Sequence, residues 1–213
     1  MTSREEVLAR IRSALSAHAE EPGAYAGIPR TYERTGTLGR EACLNLLKDR
    51  LLDYDAEVIE IAEEEGEGAL AGAIGTALQH AGDRRIVVAA EFPIAWLPRD
   101  VEVAVDHELA IGPLDRAEAV VTTCEAAVAS TGSIILVHDG AQGRRALTLL
   151  PDHHICLVRR SQVFELVPEA LTSVAARSHL PITTISGPSA TSDIEMTRIR
   201  GVHGPRRLTV VLF

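Results

Sequence analysis

Apolar residues along this chain recur with two different periods, and the period switches repeatedly. Near the N-terminus Val7, Leu8, Ile11, Ala14 and Leu15 recur every three to four positions behind Ser3 and Glu6. That S-x-x-E arrangement lets each side chain satisfy a free backbone N–H at a helix start, so an amphipathic helix is expected. Leu44, Leu47 and Leu51 stripe a second helix, and Leu70, Ala73, Ile74, Ala77 and Leu78 a third that Gly82 stops. EVIEIA (57–62) reads as a strand, and RIVVAA (85–90) as one buried on both faces, being short, continuous and β-branched. VEVAV (101–105), AEAVVTT (117–123), SIILVHD (133–139), HICLVRR (154–160), ITTIS (182–186) and RRLTVVLF (206–213) read as further strands. Pro168 suits the first position of a helix running to Ser178, with Leu171, Val174 and Ala175 on one face and Pro181 past its end.

Strands alternating with helices imply an α/β fold: a mixed, mostly parallel sheet with helices on both faces. The stretch 119–160 is too dense in strands to hold crossover helices, so part of the sheet is expected to be antiparallel. Residues 21–37, EPGAYAGIPRTYERTGT, are rich in proline, glycine and charge. With the first helix they make an N-terminal arm over 1–37, ahead of an α/β domain over 38–213. Tyr25 and Tyr32 equip the arm to dock on a neighbouring copy and build a homo-oligomer; the composition equally fits a poorly ordered segment.

Composition narrows the function classes. Apolar content of 46% supports a full core, and aromatic content of 3% makes that core aliphatic. A formal net charge of −9 disfavours nucleic acid and anionic membrane surfaces, both of which select for Lys and Arg. Cys43, Cys124 and Cys156 are far apart, with no C-x-x-C pair, so no metal centre or iron–sulfur cluster is visible, and buried thiols in a reducing compartment are expected. No apolar run approaches a membrane span, and the expected location is the cytoplasm.

The chemistry sits in the punctuation after residue 130. His153 and His154 follow Pro151 and Asp152; strand neighbours point to opposite faces, and Asp152 is available to orient a ring. Asp193 and Glu195 share a strand face, behind a Gly187-Pro188-Ser189 turn and Thr191 whose amides and hydroxyls suit an anion. Gly201-Val202-His203-Gly204-Pro205 is a second turn, with Arg206 beside it as a carboxylate or phosphate clamp. Thr131, Gly132 and Ser133, with Gly143, Arg144 and Arg145, make another anion-binding corner. His153, His154, Glu195 and His203 are the proton-active candidates. Gly66, Gly68, Gly72 and Glu91 imitate a dinucleotide fingerprint, but Glu63, Glu64, Glu65 and Glu67 crowd the turn where a pyrophosphate would sit, and a solvated loop is expected instead.

TGS at 131–133, LLPDHH at 149–154, GPSATSDIE at 187–195 and GVHGPR at 201–206, in that order and spacing, resemble the LUD (lactate-utilization) domain family. The likeness is strong over the C-terminal two-fifths and follows the remainder in outline. It implies a NagB/RpiA/CoA-transferase-like fold and a part in oxidising L-lactate to pyruvate with two iron–sulfur partner proteins. The chain shows no flavin, nicotinamide or cluster motif, so in that reading it is a non-redox subunit. Arg144 or Arg206 holds the carboxylate of a small anionic ligand such as a hydroxy acid, and a histidine takes its hydroxyl proton. A stand-alone enzyme acting on a sugar phosphate or CoA ester is an alternative, with Glu125 and Glu195 as its candidate acids by fold analogy. A non-catalytic assembly factor is another.

Overall fold

The computed structural model describes residues 2–16, 26–188, 190–191, 199–200 and 204–213. These fall into two units that divide between Glu33 and Arg34. In the first, helix α1 (Ser3–Ser16) begins one residue earlier than its S-x-x-E signature suggests. Thr2 is the cap: its N–H donates to Glu5 Oε2 at 2.8 Å and its hydroxyl accepts from the Glu5 N–H at 3.4 Å. Thr2-x-x-Glu5 satisfies the Thr2 and Glu5 N–H groups in the way Ser3-x-x-Glu6 would satisfy those of Ser3 and Glu6.

The second unit runs α2 (Arg40–Asp53), β1 (Glu57–Glu60), α3 (Leu70–Ala81), β2 (Arg85–Ala89), β3 (Glu102–Asp106), α4 (Ile111–Asp115), β4 (Ala119–Thr123), β5 (Ala126–Val128) and β6 (Ser133–Val137). It continues with β7 (His153–Val158), β8 (Val163–Phe164), α5 (Val167–Val174), β9 (Ile182–Ile185), β10 (Ala190–Thr191), β11 (Ile199–Arg200) and β12 (Arg207–Leu212). Six strands in the order β1-β12-β7-β4-β2-β3 form a central sheet, and every pairing in it is parallel. The antiparallel pairing expected within that sheet lies in a separate four-stranded one, β8-β5-β6-β9, where β6 runs antiparallel to both β5 and β9. The physical reason is a crossover without a helix. After β4 the chain leaves the central sheet, turns back as the β5–β6 hairpin, and returns as β7 beside β4 in parallel register.

The pleat sends alternate side chains of the central sheet to opposite faces. Ile86, Val88, Ala119, Val121, Ile155, Leu157 and Val211 face α3. Cys156, Val158, Leu208, Val210 and Leu212 face α2 and the second sheet, whose outer side α5 covers through Ala170 and Val174. Leu47, Leu51, Ile74 and Ile155 are fully buried, and each such side chain contributes about 1.5–3 kcal/mol. Cys43, Cys124 and Cys156 are free thiols buried in one cluster. Gly82 closes α3 in the left-handed region at φ 76°, with its N–H and that of Asp83 turned back onto the helix. That closure presents Asp83 to the amino edge of the sheet. Among the described residues no helix is long and apolar enough to cross a membrane.

Candidate functional site

β7 and β12 begin side by side at the amino edge of the central sheet, with Arg207 in register with His153. The two histidines point to opposite faces, and both are buried. His153 lies on the α3 side. Its Nδ1 is 2.7 Å from Asp83 Oδ2 and its Nε2 is 2.8 Å from Thr209 Oγ1. The Thr209 hydroxyl in turn donates to Glu57 Oε2 at 2.8 Å. The Asp83 carboxylate accepts from the ring at Nδ1, and the other ring nitrogen meets the Thr209 hydroxyl. Arg207 donates to the second Asp83 oxygen at 2.8 Å. Burial pushes the Asp83 carboxyl up, but hydrogen bonds from His153 and Arg207 outweigh it and hold the group below its ordinary range. Asp83, seventy positions upstream, thus orients the ring. Asp152, the neighbour expected to do so, instead takes the Arg206 guanidinium at 2.5 and 3.0 Å.

His154 faces the second sheet, with Nε2 2.7 Å from Thr122 Oγ1. Burial lowers its pKa to about 3, with smaller contributions from His153 and Arg145 nearby. It is a neutral imidazole at any ordinary pH, suited to hydrogen bonding and not to carrying a proton.

His154 lines a cavity of about 260 Å³ between the start of β7 and β12 and the edge strand β9. Residues 183–188 form one wall, Gly204 and Pro205 another, and Arg145 and Thr148 come from the segment joining β6 to β7. Arg145 donates to the Thr148 carbonyl at 3.3 Å and hydroxyl at 3.0 Å and pairs with no carboxylate among the described residues. No described lining residue is acidic. Arg207 also lines the cavity, with its charge balanced by Asp83 and its buried Nε without a hydrogen-bond partner.

The sequence candidates divide accordingly. Thr131 and Ser133 join the cavity wall indirectly, through a hydroxyl relay of 2.9 Å from Thr131 to Ser133 and 2.7 Å from Ser133 to Ser186. Gly132 and Gly187 both sit in left-handed backbone, at φ 62° and 85°. Each packs on the end of α2: a Cβ on Gly132 would lie 2.7 Å from Arg50 Cβ, and one on Gly187 2.7 Å from Tyr54 Cβ. The structure therefore brings the TGS turn, His154, Gly187 and Gly204 together. It places three others elsewhere. Arg144 forks onto Asp106 at 2.8 and 3.0 Å and caps the Leu109 carbonyl. Arg206 and His153 line a separate cavity of about 240 Å³ on the α3 side. Ser189, Asp193, Glu195 and His203 lie outside the described residues, as does the Thr191 side chain.

Reading by motif included Arg145 in the anion-binding corner but passed over Thr183, Thr184 and Ser186. The ITTIS run next to Gly187 carried a signal, since a strand with three hydroxyls beside a glycine turn is more polar than packing requires. Elsewhere, Glu125 at the end of β4 is held by Arg177, which also binds Asp139. The acidic turn after β1 contains the 3-10 turn Gly66–Ala69, and Glu67 pairs with Arg159 at 2.6 Å.

Gly187→Ala tests the packed turn. Left-handed backbone alone costs a non-glycine residue roughly 1–2 kcal/mol, and Tyr54 must move as well. The variant should melt well below wild type, whereas Gly39→Ala, at φ −66° with nothing near its Cβ position, should not. Equal melting temperatures would show that the Tyr54 contact yields freely.

The family model described as the LUD domain matches residues 38–213. The chain is 46% identical over 184 residues to lactate utilization protein C of Deinococcus radiodurans, covering 85% of this chain and 84% of that one. It is 27% identical to lactate utilization protein C of Bacillus pumilus, over 100% of this chain and 97% of the relative. A crystal structure of a DUF162 family protein from Deinococcus radiodurans superposes with a TM-score of 0.70 at 42% identity, covering 83% of this chain and 99% of that chain.

Proposed function

This chain belongs to the LUD domain family, and on that premise we propose that it is a non-redox component of lactate utilization. It works in the cytoplasm with two iron–sulfur proteins that oxidise L-lactate to pyruvate, and it binds a small anionic ligand in the cavity beside His154. The observation that carries the pathway is the 46% identity to a lactate utilization protein C over 85% of the chain. The anion is supported by Arg145, a guanidinium without a carboxylate partner among the described residues, in a wall whose described members include no acid. Oxidising lactate needs an electron acceptor, and in this reading the clusters of the partners supply it. The neutral His154 then offers the ligand a hydrogen bond and takes no proton from it.

A strain lacking this chain should fail to grow on L-lactate as sole carbon source and recover with the wild-type copy. Tagged chain from lactate-grown cells should retain two iron–sulfur proteins, and the purified chain alone should turn over neither lactate nor a panel of sugar phosphates and CoA esters. Normal growth of the deletion strain removes the pathway assignment. Turnover of a CoA ester or sugar phosphate by the isolated chain replaces it with the stand-alone enzyme.

A further inference from the structure

Residues 183 to 188 line the cavity consecutively. Thr183, Thr184 and Ile185 belong to β9, where side chains alternate between faces, so these three neighbours cannot all reach one space through their side chains. The cavity runs along the backbone edge of β9. That strand ends its sheet, in the order β8-β5-β6-β9, so among the described residues its outer N–H and C=O groups carry no ladder. Thr183 and Thr184, on opposite faces of β9, and Ser186 just past its end add hydroxyls to the cavity lining. Thr183 already meets His138 Nε2 at 2.6 Å and Ser186 meets Ser133 at 2.7 Å, yet each hydroxyl has three hydrogen-bonding directions and keeps capacity for a ligand. The wall is thus a row of alternating donors and acceptors ending near Arg145, whose guanidinium pairs with no carboxylate among the described residues.

Size adds a second constraint. The cavity of about 260 Å³ equals the liquid volume of roughly nine water molecules. A three-carbon hydroxy acid has six heavy atoms and underfills it. Among the described residues one lining guanidinium, that of Arg145, lacks a carboxylate partner, which suits a carboxylate better than a phosphate dianion, because Asp83 pairs with Arg207.

We infer that this cavity takes a polyhydroxylated carboxylate longer than lactate, with its carboxylate on Arg145 and its hydroxyls along the β9 edge. The inference rests on the anion-binding reading above and narrows it. The ligand is then an acid of the sugar-acid type that informs or assembles the lactate system, and lactate itself is oxidised elsewhere.

Calorimetric titration of the full chain with gluconate, L-lactate, glucose and inorganic phosphate tests this without any variant. Gluconate should bind at least tenfold more tightly than L-lactate, glucose and phosphate. Arg145→Gln changes an exposed side chain whose described hydrogen bonds go only to Thr148. It should lose at least tenfold for gluconate while melting like wild type. Thr183→Val should narrow the gap between gluconate and lactate. Lactate binding as tightly as gluconate overturns the inference but leaves the anion-binding reading intact. Glucose matching gluconate, or phosphate exceeding it, overturns the carboxylate assignment. No binding of any of the four at millimolar concentration removes both.

Discussion

His153→Leu lowers the free energy of unfolding by roughly 1–3 kcal/mol, the cost of leaving a buried polar group without its hydrogen-bond partner. The His153 and Asp83 side chains are 2% and 5% exposed, so the groups left behind have no water to fall back on. Without the ring, Asp83 keeps Arg207 but loses its Nδ1–H donor, and Thr209 loses its ring partner. The same network links β7, β12, β1 and the turn closing α3, so the loss is felt at four elements. Asp83→Asn alone should also destabilise, since the amide cannot accept from both His153 and Arg207. The double variant should cost less than the two singles together, because much of each single effect is the charge left behind. Urea unfolding followed by Trp96, the chain's one tryptophan, measures all four forms. It packs edge-on against Phe92 and Phe213 at 6.1 Å and so reports on the same core. Additivity within about 0.3–0.5 kcal/mol would mean the two side chains act independently, and the network would then not be the unit inferred from its hydrogen bonds.

That network also marks where sequence reading stops. Strands β1, β2, β4, β6, β7, β9 and β12 were legible because each is a β-branched run between turn residues, and helices α1, α2, α3 and α5 because their apolar positions keep a helical period. β5 is only Ala-Ala-Val and β8 only Val-Phe, too short to show a period, and α4 is a single turn containing Gly112 and Pro113. The mostly parallel pairing was legible from the alternation of strands and helices, but the strand order was not. Ile182–Ile185 reads as a strand by itself, but nothing local says that it binds β6 and starts a second sheet. The site followed the same rule. Opposite faces for His153 and His154 came from the pleat, a local fact. Asp83 as the partner of His153 came from a parallel register and a helix closure, both of which act over distance. Arg144 and Arg145 are adjacent, and only the fold decides that the first meets Asp106 and the second a cavity.

Acid should unfold this protein earlier than its carboxylates alone would dictate, and His154 is the reason. In the unfolded chain an ordinary histidine takes a proton near 6.5, while the buried ring resists it down to about 3. Between those values the unfolded state binds more protons, so stability rises with pH across that window and falls as pH drops through it. The contribution is fully present above pH 6.5 and is withdrawn progressively below it. The whole window is on the order of 5 kcal/mol, at about 1.4 kcal/mol per pH unit. Asp83 and Asp106 are also held below their ordinary range, where hydrogen bonds from His153 and Arg207 on one and from Arg144 and Leu109 on the other outweigh burial. Their contribution is present above the ordinary aspartate range and is lost only as pH falls through their lowered values. The two effects therefore separate along the pH axis. His154→Gln keeps a side-chain hydrogen bond within reach of Thr122 but has no proton to take up. Its melting temperature should be lower than wild type at pH 7, from imperfect packing, yet nearly flat from pH 7 to pH 5, where wild type declines. Below about pH 3 the two curves should fall together, because the carboxylates are common to both. A variant that declines as steeply as wild type between pH 7 and 5 would place the acid-sensitive group elsewhere and leave His154 free to titrate as a proton carrier in the cavity.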